Sequence, residues 1–220
     1  MRLDTTLRRA GVEVFEADIR PPERYLMERF ITAPVWFGGT PAADGLLVDA
    51  QMKPAPEYRP PLRLVSLDIE TTAQGELYSI ALEGCGERQV YMLGPANGDD
   101  TGVDFQLEYC ESRTVLLKKL NDWFARFDPD AIIGWNLVQF DLRVLHEHAR
   151  RLAVPLRLGR GGEEMQWREH GARNNHFFAS AAGRLIIDGI ESLRSATWSF
   201  PSFSLEKRRP DAAGGGQVHR

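Results

Sequence analysis

Two acidic residues, Asp68 and Glu70, stand one residue apart at the end of the apolar run LVSLDIETT, residues 64–72. Side chains alternate between faces along a β-strand, so residues i and i+2 project from the same face. Like charges held that close repel each other and raise each other's pKa unless a positive group lies between them. The pair therefore indicates a cation site, although an Asp-x-Glu at a strand end is also common without a function.

A third acid, Asp141, lies five residues after Asn136, which ends the short apolar segment AIIGWN. We expect Asp141 in the first turn of the next helix, at the carboxyl end of a strand, where α/β sheets present functional groups. Three carboxylates with no lysine or arginine in either segment favour a divalent cation, and hard oxygen ligands select Mg²⁺ or Mn²⁺. Two such ions polarise a phosphodiester and activate water. Asp141 also has a simpler explanation, since an aspartate in the first turn of a helix complements the helix dipole.

The elements that must position these acids follow from the hydrophobic pattern of residues 62–206, which predicts an α/β layout with helices on a mixed sheet. An antiparallel meander comes first, followed by an edge strand, a helix capped by Ser112, a buried strand, a second helix, a hairpin, a further strand and a last helix. These elements are predicted, in that order, at LRLVSLDIE, ELYSIALEG, RQVYMLGP, VDFQLEYC, SRTVLLKKLNDWFARFDP, AIIGWN, VQFDLRVLHEHARRLAV, EMQWREHG with HFFASAAG, and RLIIDGIESL.

Residues 1–61 are rich in turns and proline, and we expect an incomplete N-terminal appendage of α+β type that ends in a proline-rich linker. Its predicted elements are a helix at LDTTLRRAG, a strand at VEVFEADI, a helix at RPPERYLMERF, a loop at APVWFGGTPAADG and a strand at LLVDAQM.

The composition narrows the class of protein. A net charge of −4 excludes a strongly basic nucleic-acid footprint over the whole chain, though not a local groove. The two cysteines, Cys85 and Cys110, have no metal-site spacing and fit a reducing cytoplasm. His146 and His148 lie two residues apart on a predicted helix, which is a poor ligand geometry, so we expect both to be exposed.

The two acidic segments resemble known motifs. LVSLDIETT is similar to the first exonuclease motif of family B DNA polymerases, and IIGWNLVQFDLRVL is similar to the second, N-x3-F-D. The likeness extends from about residue 8 to about residue 206 and is strongest to bacterial members. It implies an RNase H-like proofreading 3′→5′ exonuclease domain of the DEDD type, with a mixed sheet flanked by helices, preceded by part of an N-terminal domain.

The resemblance also implies roles for single residues. Asp68, Glu70 and Asp141 would be catalytic metal ligands for two Mg²⁺ or Mn²⁺ ions, and Asp188 is not placed among them. Thr71, Asn136 and Phe140 would lie near the 3′-terminal nucleotides. The implied partner is the single-stranded 3′ end of DNA; an intact enzyme would also use primer-template DNA, dNTPs and a sliding clamp, at the nucleoid of the cytoplasm and without a membrane.

The sequence departs from the family pattern after Glu206. The third exonuclease motif, a tyrosine three residues before a fourth aspartate, and the polymerase domains are not found, so we expect this chain to be nearly inactive alone. Back-translation of residues 207–220 gives a family-like reading when shifted by one nucleotide, which favours a frameshifted, disordered tail. Two other interpretations stay open, a stand-alone DEDD exonuclease and a non-catalytic module that binds single-stranded DNA.

Overall fold

The computed structural model describes residues 3–32, 34–95, 102–170, 176–200 and 202–204. The chain divides into two compact units, Met1–Pro61 and Leu62–Arg220. The predicted frameshifted tail, residues 207–220, lies outside the described residues.

The N-terminal unit consists of two short helices and a two-stranded antiparallel ribbon. Its elements are α1 (Leu3–Arg9), α2 (Pro21–Glu28), β1 (Val35–Pro41) and β2 (Leu47–Pro54). Two prolines open α2, where their missing N–H groups cost nothing. Among the side chains described in this unit, only Ala55 is buried, so these elements enclose almost no core.

Two predictions for this unit are wrong. Residues 12–19, expected as a strand, form turns and irregular backbone, and Phe15 is largely exposed. Residues 35–41, expected as a loop, form β1, which pairs with β2. A strand is stabilised by its neighbour, and alternation in the sequence does not reveal whether a neighbour exists.

The C-terminal unit has an α/β fold, as predicted. Its elements are β3 (Leu64–Thr71), β4 (Leu77–Gly84), β5 (Glu87–Leu93), β6 (Gln106–Cys110), α3 (Arg113–Phe127), β7 (Ala131–Gly134), α4 (Asp141–Arg151), β8 (Gln166–His170), β9 (His176–Ser180), β10 (Leu185–Asp188) and α5 (Gly189–Ser195).

Six of these strands form one mixed sheet in the order β10-β7-β3-β4-β5-β6. The meander β3-β4-β5 is antiparallel, whereas β7 runs parallel to both β3 and β10. β8 and β9 form a separate antiparallel hairpin. Helices α3 and α4 contribute to a core that also contains Val65, Leu67 and Ile69 of β3.

The helices begin and end where local chemistry dictates. The Ser112 side chain caps α3 by accepting a hydrogen bond from the Val115 N–H, as predicted. Helix α4 begins at Asp141, three residues later than the pattern predicts, because the preceding residues form a turn in which Asn136 has a φ of 58°. No helix within the described ranges is long and apolar enough to cross a membrane.

Candidate active site

The first pair of predicted site residues lies on β3, next to the centre of the sheet. Leu67 and Ile69 are buried in the core, and the alternating residues Asp68 and Glu70 are exposed on the opposite face. The two carboxylates therefore leave the same face of one strand, as their spacing predicts.

Asp141, the first residue of α4, reaches the same strand although it lies 72 residues further along the chain than Ile69.

 The backbone N–H of Ile69 donates a hydrogen bond to Asp141 Oδ1 at 3.1 Å. β7 pairs with β3 only along residues 64–66, so the β3 edge beyond them is open on that side. The Asp141 carboxylate takes the place of a strand neighbour there, and its side chain is 1% exposed.

The electrostatics of Asp141 follow from this burial. Loss of water, followed by the charge of Asp68 and more weakly that of Asp188, raises the pKa of Asp141 to about 7, although the hydrogen bonds from its own N–H and from Ile69 oppose the shift. Asp141 is therefore close enough to Asp68 to feel its charge.

The approach of β7 to β3 depends on a glycine. A Cβ added at Gly134 would lie 2.9 Å from the Leu67 carbonyl oxygen and 3.0 Å from Leu137 Cδ1. Any larger residue there would separate the two strands just before Asp68. Gly134 thus sets the distance between the two acidic segments.

The remaining predicted residues lie around these acids. Asn136 and Phe140 stand at the two ends of the turn that leads into α4, and the Phe140 N–H donates to the Asn136 carbonyl at 3.0 Å. The Phe140 ring is 42% exposed, so it is not a core residue. Thr71 is half-buried at the end of β3, beside a shift in register with β4.

The donor set suits a hard cation, because all three predicted ligands are carboxylates. Within the described part of the chain, no lysine or arginine forms an ion pair with Asp68, Glu70 or Asp141. The described residues contain no group of three or more His, Cys, Asp or Glu side chains arranged to hold a metal ion. The three acids are thus near one another without forming a ready-made site, and their role as ligands stays a prediction.

Comparison with known proteins decides the family. The family described as "DNA polymerase family B, exonuclease domain" matches residues 12–207. The chain belongs to this family. That match spans both units of the chain and confirms the resemblance expected from the two motifs.

Individual relatives agree with this assignment. DNA polymerase II of Escherichia coli is 62% identical over 217 residues, which are 99% of this chain and 28% of that protein. A DNA polymerase of Desulfurococcus is 27% identical over 90% of this chain and 22% of its own length. The chain therefore spans about a quarter of the curated relatives it matches, and the bacterial branch expected from the sequence is confirmed.

A solved structure supports the fold. The family B DNA polymerase of Pyrobaculum calidifontis superposes with a TM-score of 0.51 and 25% sequence identity, covering 80% of this chain and 23% of that chain. The mixed six-stranded sheet with helices is consistent with the RNase H-like fold predicted for a family B exonuclease domain.

Asp188, which ends β10, is not predicted as a ligand, and in the structure its side chain accepts hydrogen bonds from backbone N–H groups. Its side chain caps α5 by accepting from the N–H groups of Ile190 and Glu191, and its other oxygen accepts from the Val138 N–H at 3.0 Å. Asp188 therefore connects the turn that contains the N-x3-F-D motif to the end of β10 by a hydrogen bond. Its charge nevertheless contributes to the raised pKa of Asp141.

Neither histidine of α4 is exposed, contrary to the prediction, and His146 is half-buried with its ring stacked on that of Trp167. His148, expected to be exposed, is 5% exposed and accepts a hydrogen bond from the Leu77 N–H through Nε2. That prediction is wrong, because the histidine faces the start of β4 rather than solvent. Only its spacing of seven residues from Asp141, which places both on one helix face, signals the contact in the sequence.

Proposed function

We propose that this chain carries a metal-dependent 3′→5′ exonuclease site that removes the terminal nucleotide from a DNA strand, as the proofreading part of a family B DNA polymerase. The observation that carries the proposal is the contact of Asp141 with β3. Asp141, the aspartate of the second motif, accepts the backbone N–H of Ile69, which lies between the two acids of the first motif.

Asp68, Glu70 and Asp141 are the residues that would hold the cations. Two Mg²⁺ or Mn²⁺ ions would supply a water of lowered pKa and neutralise charge on the phosphodiester. Because the pKa of Asp141 is raised to about 7, a neighbouring cation would displace its proton and stabilise the carboxylate. The chain's own contribution is to hold the buried Asp141 carboxylate in a fixed place on the Ile69 N–H.

The substrate end of the site involves the turn before α4. The exposed Phe140 ring offers a face for stacking on a terminal base, an interaction that tolerates any sequence. Asn136 and Thr71 are proposed to contact the last nucleotides by hydrogen bonding. The substrate class is therefore a frayed single-stranded 3′ end, without base-specific recognition.

The relatives carry the name DNA polymerase, and the chain covers about a quarter of their length. In a protein of that size we propose that the domain works beside primer-template DNA and dNTPs, with a sliding clamp as a further partner. A DNA substrate of this kind implies a cytoplasmic, nucleoid-associated location.

The test uses the chain with a single-stranded oligonucleotide labelled at its 3′ end. We expect Mn²⁺-dependent binding of the 3′ end by fluorescence anisotropy, with only slow release of nucleotides, since the sequence has no tyrosine-containing third motif. D68A and D141N should both abolish the metal dependence, whereas E83Q, which removes an exposed acid from β4, should not.

The other outcomes separate the alternatives. Rapid degradation that D68A abolishes would establish a stand-alone exonuclease. DNA binding that neither metal nor the two variants alter would establish a non-catalytic module and overturn the proposal.

A further inference from the structure

Helix α4 contacts the β3–β4 hairpin at two points rather than one. Asp141 and His148 are seven residues apart, which is close to two helical turns, so both face the hairpin. Asp141 accepts the N–H of Ile69 near the end of β3, and His148 accepts the N–H of Leu77 at the start of β4. Two acceptors on one helix thus bind two backbone donors of one hairpin.

The hydrogen bonds of His148 fix its tautomer. Nε2 accepts from the Leu77 N–H at 3.1 Å, and Nδ1 lies 2.9 Å from the Val144 carbonyl oxygen. A carbonyl only accepts, so the proton is on Nδ1 and the imidazole is neutral in this arrangement. Both ring nitrogens are satisfied and the ring orientation is set.

An ion cluster reinforces the same end of the hairpin. Arg151 of α4 donates to both oxygens of Glu76, at 2.7 and 2.6 Å, and Arg113 of α3 donates to the Leu77 carbonyl at 2.9 Å. Glu76 immediately precedes Leu77. The beginning of β4 is therefore attached to α4 through Arg151 and His148 together.

The site end of α4 needs such support. Asp141 contacts β3 through the Ile69 N–H, at a part of the strand edge that β7 leaves open, so the contact depends on how α4 lies against the hairpin. Leu142, Leu145 and Ala149 pack α4 into the core through apolar contacts, which are not directional and leave the helix some freedom to tilt. Attachment at the His148 end opposes this tilt.

We propose that His148 is a positioning residue, which holds α4 against the β3–β4 hairpin so that the Asp141 carboxylate stays on the Ile69 N–H beside Asp68. The inference rests on the proposed function in one respect, which is that the Asp141 carboxylate beside Asp68 is taken to bind a metal ion. A purely structural histidine would add stability evenly and would leave the Asp141 contact unchanged.

The experiment compares three variants of the chain. H148A removes the acceptor, and H148Q restores one at the position of Nε2. H146A is the matched control, because His146 lies on the same helix and stacks on Trp167 instead. Native-state amide exchange is measured at Ile69 and, as an internal reference, at Phe124 in α3; Mn²⁺ affinity is measured by titration calorimetry.

We expect H148A to speed exchange at Ile69 about tenfold more than at Phe124, and to weaken Mn²⁺ binding about tenfold, within the range for residues that orient metal ligands. H148Q should recover most of both effects, and H146A should show neither. If H148A does not fold, H148N provides the same comparison, because an asparagine side chain is too short to bring an acceptor to the position of Nε2.

Equal acceleration at Ile69 and Phe124, or unchanged exchange at Ile69 in H148A, would overturn the positioning role. Failure of the proposed function has a different signature. If wild-type chain binds no Mn²⁺ in a manner sensitive to D141N, the metal site is wrong, while the exchange data still decide whether His148 holds Asp141 on Ile69.

Discussion

Asp141 Oδ1 accepts the Ile69 N–H at 3.1 Å, so a helix-borne carboxylate replaces a neighbouring strand at the open edge of β3. Ile69 lies between Asp68 and Glu70 on that strand. One hydrogen bond therefore connects the two sequence motifs on which the family resemblance rests. It also holds a buried acid against a like charge, an arrangement that lowers stability unless a cation is present.

Replacement of that acid should stabilise the protein. The folded-state pKa of Asp141 is about 7, above the ordinary aspartate value, so the folded protein binds this proton more tightly than the unfolded chain. Stability from this group is present in acid and is lost as the pH rises to about 7. D141N should therefore raise the free energy of unfolding by about 2 kcal/mol at pH 8, and by much less at pH 4.

Urea unfolding of wild type and D141N at both pH values measures this difference. Equal stabilities at pH 8, or a difference that does not vary with pH, would contradict the electrostatic account of Asp141.

Divalent cations should reverse the destabilisation. Mn²⁺ at about 100 times its Kd should add about 2.7 kcal/mol to wild-type stability, because it binds only the folded site. D68A and D141N should show little of this gain. E83Q is the control, since Glu83 pairs with Arg88 and not with the site. A thermal unfolding series with and without Mn²⁺ checks the prediction, and equal gains in all four proteins would indicate non-specific binding.

Gly134 should be sensitive to the smallest enlargement. G134A places a Cβ 2.9 Å from the Leu67 carbonyl oxygen, so β7 must move away from β3. We expect a loss of about 1–3 kcal/mol of stability, as for other overpacked sites, together with weaker Mn²⁺ binding. G38A, at a strand glycine with nothing within 4 Å, should leave both quantities unchanged. A crystal structure of G134A with β7 unmoved would contradict this explanation.

The Glu76 cluster predicts a second pH effect with the opposite sign. Hydrogen bonds from Arg151, followed by the charges of Arg151 and Arg113, lower the pKa of Glu76 to about 2 despite partial desolvation. The stability this gives is present above the ordinary glutamate pKa and is lost as the pH falls toward 2. Wild type should therefore lose more stability than E76Q between pH 5 and about pH 2. The matched control E147Q, which removes an exposed acid from α4, should follow wild type.

Much of the C-terminal unit was predictable because its patterns are local. The apolar alternation of β3 places Asp68 and Glu70 on one face, and Ser112 caps α3 as its type suggests. These features depend on residues within a few positions of one another. The family resemblance then supplied the functional interpretation of the acids.

The rest depends on contacts that no local pattern encodes. The hydrogen bond of Asp141 requires β7 to stop pairing with β3 after Ser66, and the burial of His148 requires a backbone donor 71 residues away. In the N-terminal unit, β1 pairs with β2, whereas the alternating residues 12–19 pair with no strand among the described residues. Tertiary neighbours therefore decided each of the predictions that failed.

The most direct test of the central claim is a carbon-13 NMR titration of the Asp141 carboxyl group, assigned with D141N, in the absence and presence of saturating Mg²⁺. The account predicts a pKa of about 7 without metal and a fall to below about 5 with Mg²⁺, because a bound cation stabilises the carboxylate. An ordinary aspartate pKa without metal, or a raised pKa that Mg²⁺ leaves unchanged, would contradict the assignment of Asp141 to a cation site beside Asp68.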